Sequence, residues 1–144
     1  MINEAPRTET YDPNAIIDKW LKAWDQLHVF EAQGLTKGND DLPRSYVVSM
    51  FPYPSGDLHM GHAEVYSISD AIARYIRMRG ANVLNAIGWD SFGLPAENAA
   101  LKRNLDPRDW TYANIDTQAD SLRRLGVSFD WRTRFHQLCP VGGK

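Results

Sequence analysis

The residues from Tyr46 to His62, YVVSMFPYPSGDLHMGH, determine how the chain must fold. An apolar run rich in β-branched residues leads into a turn that contains Pro52, Pro54 and Gly56, and a helical pattern follows. The run predicts a strand that brings the chain to the edge of a sheet. The next helix then opens with backbone N–H groups that lack intrahelical partners. Because such helix starts bind anions, this order predicts a phosphate site.

Two histidines and a glycine stand at the predicted helix start. His59 and His62 are three positions apart, so one helical turn brings both rings to the same place. Imidazole nitrogens can donate hydrogen bonds to phosphate oxygens. Gly61 has no Cβ and lets a flat group such as a purine approach the backbone. These residue types favour a nucleotide as the ligand.

The surrounding pattern predicts a βαβ unit with parallel strands. We expect a first strand over residues 46–51, central in its sheet, and a second strand over residues 82–87. The helix between them should run from about Gly61 to a stop at Gly80, with one apolar face made of Val65, Ile68, Ile72, Tyr75 and Ile76. Ligands bind at the carboxyl ends of such strands. Residues 52–62 and 88–97 should therefore converge on one crevice.

Further helices flank this unit. Asp12 and Pro13 predict a helix start, and apolar residues then recur at helical spacing as far as Leu27, so that one face should be buried. Residues 34–44 should form a loop. After the second motif block we expect a short helix over residues 95–104, a turn or helix opening at Asp106 and Pro107, a helix over residues 111–125 closed by Gly126, and a third strand or extended edge over residues 127–131.

The bulk properties are those of one ordinary globular domain. The chain has 144 residues, of which 43% are hydrophobic and 24% charged, and its formal net charge is -2. Without a global basic field, tight nucleic-acid binding by this chain alone is not expected. The single Cys139 excludes an internal disulfide. No signal-peptide pattern or membrane-length apolar run is visible, so we expect a cytoplasmic protein without a membrane partner.

The motifs resemble those of a known family. The block FPYPSGDLHMGH, residues 51–62, is similar to the first signature of class I aminoacyl-tRNA synthetases, and GWDSFGLPAE, residues 88–97, matches the leucyl branch of that family. Isoleucyl and valyl members usually carry His at the position of Phe92, and they lack the Pro-Tyr-Pro-Ser turn. The resemblance runs from about Tyr11 to about Cys139.

The resemblance implies a fold class and a domain plan. The fold is α/β: the first half of a Rossmann-like (HUP-type) parallel-sheet nucleotide-binding domain preceded by an N-terminal helix. In this plan the domain occupies residues 44–139, and a helical prelude with its loop occupies residues 12–43. Residues 1–11 would be a flexible N-terminus, and residues 140–144 a tail or a truncation scar.

The resemblance also implies a function and its residues. The complete enzyme would be a leucine–tRNA ligase that uses ATP and Mg²⁺ held by the nucleotide phosphates, activates leucine and transfers it to tRNA(Leu). His59 and His62 would act on the triphosphate as the catalytic residues. The ATP site would comprise Pro52, Ser55, Gly56, His59, Gly61 and His62. The Asp90 carboxylate would pair with the leucine ammonium, and Met50, Phe51, Tyr53 and Phe92 would wall the leucine side chain.

Other interpretations of these residues stay open at this point. His59 and His62 together with His136 and Cys139 have zinc-ligand residue types, although we predict no metal site. Asp90 could be a turn or cap residue, and the apolar walls could be ordinary core. The chain could also be a truncated paralogue that binds nucleotides or regulates without turnover, or a gene fragment without function.

The second signature, editing domain and helical bundle expected of the complete family are not found in the sequence. We therefore expect weak activation of leucine, or none, by this chain alone, and full activity only together with the other half of the catalytic domain.

Overall fold

The computed structural model describes residues 12–34 and 42–136. Predictions for residues 1–11, for Cys139 and for residues 140–144 fall outside these ranges. The described elements are, in chain order, α1 (Pro13–Leu27), β1 (Arg44–Val47), α2 (Met60–Met78), β2 (Asn82–Asn85), β3 (Gly88–Trp89), α3 (Leu94–Leu101), α4 (Pro107–Leu125), a 3₁₀ turn (Trp131–Thr133) and β4 (Phe135–His136).

All strand pairs in the described part of the chain are parallel. β1 pairs with β2 in a register that places Arg44 opposite Asn82 and Val47 opposite Asn85. β3 pairs with β4, with Gly88 opposite Phe135. Since α2 connects β1 to β2, the predicted βαβ unit is present, and the α/β fold with parallel strands is confirmed.

The first strand differs from its prediction in bounds and position. β1 ends at Val47 rather than at residue 51, because the chain beyond it turns toward α2: Tyr66 Oη donates to the Met50 carbonyl at 2.9 Å, and the Ser49 and Ser69 hydroxyls bond at 2.8 Å. β1 is also not central among the described strands. The described strands form two separate two-stranded sheets, β1 with β2 and β3 with β4, so none of them has a strand on both sides.

The later elements partly follow the prediction. Residues 127–130 are buried but form no strand, and the Phe129 N–H bonds back to the Val127 carbonyl at 3.0 Å. The Asp130 N–H donates to the Asn85 carbonyl at 2.8 Å, so this segment lies beside the end of β2. β3 was not predicted. α4 begins at Pro107 rather than at residue 111, because the Asp106 carboxylate caps the N–H groups of Arg108 and Asp109. Its predicted stop at Gly126 is present, with φ 77°.

The helix α1 starts as predicted but buries less than predicted. Asp12 caps it by accepting a hydrogen bond from the Asn14 N–H at 3.0 Å. None of its residues is fully buried, and Trp20 remains 46% exposed. Only a narrow strip around Trp24 packs onto the domain, where its ring lies 5.2 Å from that of Phe30.

The core lies between α2, the strands and α4. One cluster of buried residues joins Tyr66 of α2, Ile87 just before β3, Trp89 of β3, and Ile115 and Leu122 of α4. A smaller cluster places Ala73 of α2 against Val47 and Val83, residues of β1 and β2. Both clusters lie next to the turn that follows β1, so the core holds the crevice between the two motif blocks.

A buried carboxylate ties the segment after α1 to the domain. Asp130 has no exposed surface; it accepts hydrogen bonds from the Ala32 N–H at 2.9 Å and from the Arg132 guanidinium. Burial alone would raise the pKa of Asp130, but the hydrogen bonds from Arg132 and Ala32 lower it overall. The ionised side chain therefore fixes the segment that holds Ala32 against the 3₁₀ turn.

Across residues 12–34 and 42–136, none of the helices combines the length and the apolar character that a membrane span requires.

Candidate functional site

The two motif blocks meet at a cavity of about 620 Å³. It opens between the turn after β1, the start of α2 and the end of β3. The lining residues come from both blocks and from α2: Met50, Phe51, Pro52, Tyr53, His59, Gly61, His62, Val65, Tyr66 and Asp90. The crevice expected from the parallel strands is therefore present, and its volume lies in the range of small-molecule sites.

The start of α2 is capped by its own histidines. His59 is the N-cap, and its Nδ1 accepts a hydrogen bond from the Gly61 N–H at 3.1 Å. In return, His62 Nδ1 accepts from the His59 N–H at 3.1 Å. This reciprocal pair is a capping box built from imidazoles, and it brings the ring centroids within 4.0 Å. The spacing of three residues thus serves the helix start as well as the cavity.

The expectation of free backbone donors at this helix start is wrong for three of them. The N–H of Gly61 is directed to the His59 ring, that of His59 to the His62 ring, and that of His62 to the His59 carbonyl at 2.9 Å. An anion in the cavity would therefore meet the positive end of the helix dipole and the imidazole N–H groups more than a row of open amides.

The capping box fixes which nitrogen of each ring carries the proton. Nδ1 accepts a hydrogen bond in both His59 and His62, so the neutral rings carry their protons on Nε2. Burial, and secondarily the charge of His59, lowers the pKa of His62. His62 is therefore neutral at pH 7 with an Nε2–H that can donate to a ligand oxygen.

The packing of the helix start gives a second reason for a glycine at position 61, besides the predicted approach of a flat ligand. A Cβ at this position would lie 3.0 Å from Cε1 and 3.1 Å from Nδ1 of His59, closer than ordinary van der Waals contact. The absence of a side chain gives the His59 ring its place over the first turn of α2. The approach of a flat ligand to Gly61 remains a prediction. The contact with His59 excludes a side chain at this position independently of any ligand.

Asp90 joins the two motif blocks. Its N–H donates to the Pro52 carbonyl at 3.1 Å, which attaches the end of β3 to the turn after β1. Its half-buried side chain lines the cavity. Within the described ranges the Asp90 carboxylate receives no hydrogen bond and makes no ion pair. A carboxylate placed in this way can bind a cationic group of a ligand.

One wall of the cavity is apolar. It includes the predicted residues Met50, Phe51 and Tyr53, and the Phe51 ring is fixed edge-on against Phe135 at 4.8 Å. Sequence reasoning missed Tyr66, which is 1% exposed, and burial raises its pKa to about 12. The helical spacing of Tyr66 from His62, four residues, was the signal that could have found it.

Three predicted residues do not line the cavity. Ser55 and Gly56 are half-buried in the turn, where the Gly56 carbonyl faces inward to the side chain of Gln118 at 2.6 Å. Phe92 is 71% exposed, because the chain bends at Phe92 and Gly93 after the buried Ser91. Its predicted place in the wall of the leucine pocket is therefore not what this structure shows.

The described part of the chain contains no cluster of side chains that would support the zinc interpretation. No group of three or more His, Cys, Asp or Glu side chains there could hold a metal ion. His136 belongs to β4, where its ring lies edge-on to Tyr112, and Cys139 is outside the described residues. Asp90 is the single carboxylate among the lining residues.

Comparison with known proteins shows the family to which this chain belongs. The sequence model of the family described as tRNA synthetases class I (M) matches residues 45–138. The chain is 55% identical over 142 residues to the leucine–tRNA ligase of Clavibacter michiganensis, and 55% identical over 136 residues to that of Acidothermus cellulolyticus. These matches cover 97% and 94% of the chain. In both cases the chain spans 16% of the length of its relative.

Solved structures agree with this assignment. A LeuRS–tRNA–LeuAMS ternary complex from Agrobacterium radiobacter superimposes with a TM-score of 0.85 at 38% identity, over 91% of this chain and 16% of that one. The Mycobacterium tuberculosis methionyl-tRNA synthetase in complex with methionyl-adenylate gives a TM-score of 0.61 at 31% identity, over 62% of this chain and 18% of that one.

Proposed function

The chain belongs to the class I tRNA synthetases, and from this membership we propose that its cavity binds ATP and leucine for the formation of leucyl-adenylate. The observation that carries the proposal is the meeting of a histidine-capped helix start, a carboxylate and an apolar wall around one cavity. The likeness to leucine–tRNA ligases, at 55% identity, supports leucine as the amino acid.

In this reaction the leucine carboxylate attacks the α-phosphorus of ATP, and pyrophosphate leaves from the opposite side. The nucleophile is already ionised, so the protein contributes positioning and stabilisation of charge more than proton transfer. His59 and His62 would donate from Nε2 to phosphate oxygens near the positive end of α2. Gly61 would lie beneath the adenine, with Pro52, Ser55 and Gly56 shaping the turn around the nucleotide.

The amino acid would occupy the other side of the cavity. Asp90 would pair with the α-ammonium group, while Met50, Phe51 and Tyr53 would contact the side chain. Phe92 would contribute only if its ring moved from its exposed position. An apolar wall of this kind separates substrates that differ by one methylene by about 1–3 kcal/mol.

Magnesium would accompany ATP. The cavity offers Asp90 as its carboxylate, which this proposal uses for the ammonium group, so phosphate oxygens would hold the ion. In the whole ligase the activated leucine would pass to tRNA(Leu). The chain spans 16% of the length of its relatives, so we expect this part by itself to bind substrates better than it turns them over.

Leucine-dependent exchange of labelled pyrophosphate into ATP tests the proposal. We expect slow exchange that prefers leucine over valine about tenfold or more, and a loss of about 10²-fold in His62→Ala, since a preorganised donor to the phosphates is removed. His28→Asn is the matched control, because His28 lies outside the cavity at the end of α1 and Asn tolerates its φ of 52°.

Equal exchange in His62→Ala would contradict the role of the α2 start. Folded protein that shows no leucine-dependent exchange would contradict activation by this part of the ligase.

A further inference from the structure

We propose that Gln118 is a positioning residue of the adenylation site, which holds the turn after β1 and the end of β3 in their binding geometry without touching substrate. The inference rests on the proposed function for what the site binds, and on the contacts of Gln118 for how it acts. Gln118 is on α4, outside both motif blocks, and is 1% exposed.

The side-chain amide of Gln118 connects three backbone or side-chain groups of the two blocks. Its Nε2 donates to the Tyr53 carbonyl at 3.1 Å and to the Gly56 carbonyl at 2.6 Å. Its Oε1 accepts from the indole Nε1–H of Trp89 at 2.9 Å. Both N–H groups and the oxygen of the amide are therefore in use. The opposite orientation of the amide would place oxygen against two carbonyls, so the partners dictate the one seen.

The turn depends on these bonds because it has no regular structure of its own. Residues 48–58 contain neither helix nor strand, and Pro52 and Pro54 have no N–H to donate. The Pro52 carbonyl is satisfied by the Asp90 N–H, and the carbonyls of Tyr53 and Gly56 by Gln118. Without Gln118 these partly buried carbonyls would have to find other partners, which would favour a different path of the chain.

The bonds also determine where the ligand-facing groups lie. Tyr53 lines the cavity directly, and Gly56 is three residues before the N-cap His59. On the other side, the indole of Trp89 is 1% exposed and precedes Asp90. Gln118 thus holds the residues that flank the nucleotide and those that flank the amino acid at a fixed separation. A small displacement of either would weaken a site that needs both at once.

A matched control is one helical turn away. Asn114 is a buried amide on the same helix, 7% exposed, but its Nδ2 donates to the Trp110 carbonyl of α4 itself at 2.7 Å. Replacing Asn114 removes a buried amide without releasing either motif block. Comparison of Gln118→Met with Asn114→Leu therefore separates positioning of the site from packing of the helix. Gln118→Glu is a second variant, which keeps the shape and loses the double donor.

The test has two readouts on the whole chain. Amide hydrogen exchange over residues 53–58 and the indole N–H resonance of Trp89, measured without ligand, report the position of the turn. We expect faster exchange and a displaced indole signal in both Gln118 variants, and neither in Asn114→Leu. Titration with a non-hydrolysable leucyl-adenylate analogue should show affinity reduced about tenfold or more in the Gln118 variants, with helical circular dichroism unchanged.

The outcomes are distinguishable. Unchanged exchange of the turn and an unchanged indole signal in folded Gln118→Met and Gln118→Glu would overturn the positioning role, whatever the wild type binds. An altered turn with unaltered affinity would overturn it as well. A wild type that binds no analogue would overturn the proposed function, while exchange of the turn would still decide whether Gln118 positions it.

Discussion

At the scale of single residues, the histidines of the first block have a structural role in the helix start, to which our proposal adds a chemical one. His59 and His62 cap α2 through Nδ1, and the same bonds direct the remaining proton of each ring to Nε2. The sequence identifies the pair from its spacing. It does not reveal the tautomer, because that depends on which backbone N–H groups the rings accept from once the helix start has formed.

The pKa of His62 makes the stability of the chain depend on pH. Its folded value lies below the ordinary 6.5, mainly through burial. The unfolded chain therefore binds the proton more readily, and the stabilisation from neutral His62 is complete above pH 6.5 and is lost as pH falls through the lowered folded pKa. Urea unfolding at pH 7.5 and 5.5 should show a smaller free energy of unfolding at the lower pH.

The same measurement on His62→Gln provides the control, because glutamine does not titrate in this range, so the difference between the two pH values should shrink. Nitrogen chemical shifts of the wild type should report protonated Nε2 and a pKa below 6.5 for His62. A proton on Nδ1 in neutral His62 would contradict the capping box, and an equal pH effect in the variant would contradict the lowered pKa of His62.

At the scale of elements, α2 shows where periodicity misleads. Of the apolar face predicted from Val65, Ile68, Ile72, Tyr75 and Ile76, only Ile76 packs against the core, and the other four are 37–63% exposed in the described structure. The helix instead turns Tyr66 and Ala73 inward, and Asp70, Arg74 and Arg77 bond to the segment over residues 126–128. A polar network on one side and the buried Tyr66 and Ala73 on the other thus set the rotation of α2.

A pair of substitutions on α2 checks this rotation. Ile68→Glu should change the free energy of unfolding by only about 0.5 kcal/mol, since Ile68 is 58% exposed. Ala73→Leu should destabilise by about 1–3 kcal/mol, because Ala73 has no exposed surface and packs between Val47 and Val83. Thermal or urea unfolding of both variants measures the difference.

If the apolar stripe faced the core in this chain, the order would be reversed. A large loss of stability in Ile68→Glu with a neutral Ala73→Leu would therefore contradict the packing of α2.

At the scale of the whole molecule, the sequence predicts the parallel topology and most of the residues that line the cavity. Alternating strand and helix patterns predict the βαβ unit, and a parallel sheet then brings Asp90 to the histidines. What the sequence misses depends on distant contacts. The end of β1 at Val47, the burial of Tyr66 and the bonds of Gln118 all arise from side chains that meet across elements, to which local propensity gives no signal.

The exposed position of Phe92 has the same origin. Its place in the second motif block predicts a wall residue, but the bend after the buried Ser91 decides where its ring points. In contrast, Met50, Phe51 and Tyr53 reach the cavity because they lie within the turn that the sequence marks with prolines.

The central claim is that this cavity holds leucyl-adenylate. Calorimetric titration of the chain with the non-hydrolysable leucyl-adenylate analogue, and with its methionyl counterpart, tests the claim most directly, since solved relatives include complexes of both kinds. We predict binding that prefers the leucyl analogue about tenfold or more and that weakens in Asp90→Asn. Folded chain that binds neither analogue, or prefers the methionyl one, would contradict the account.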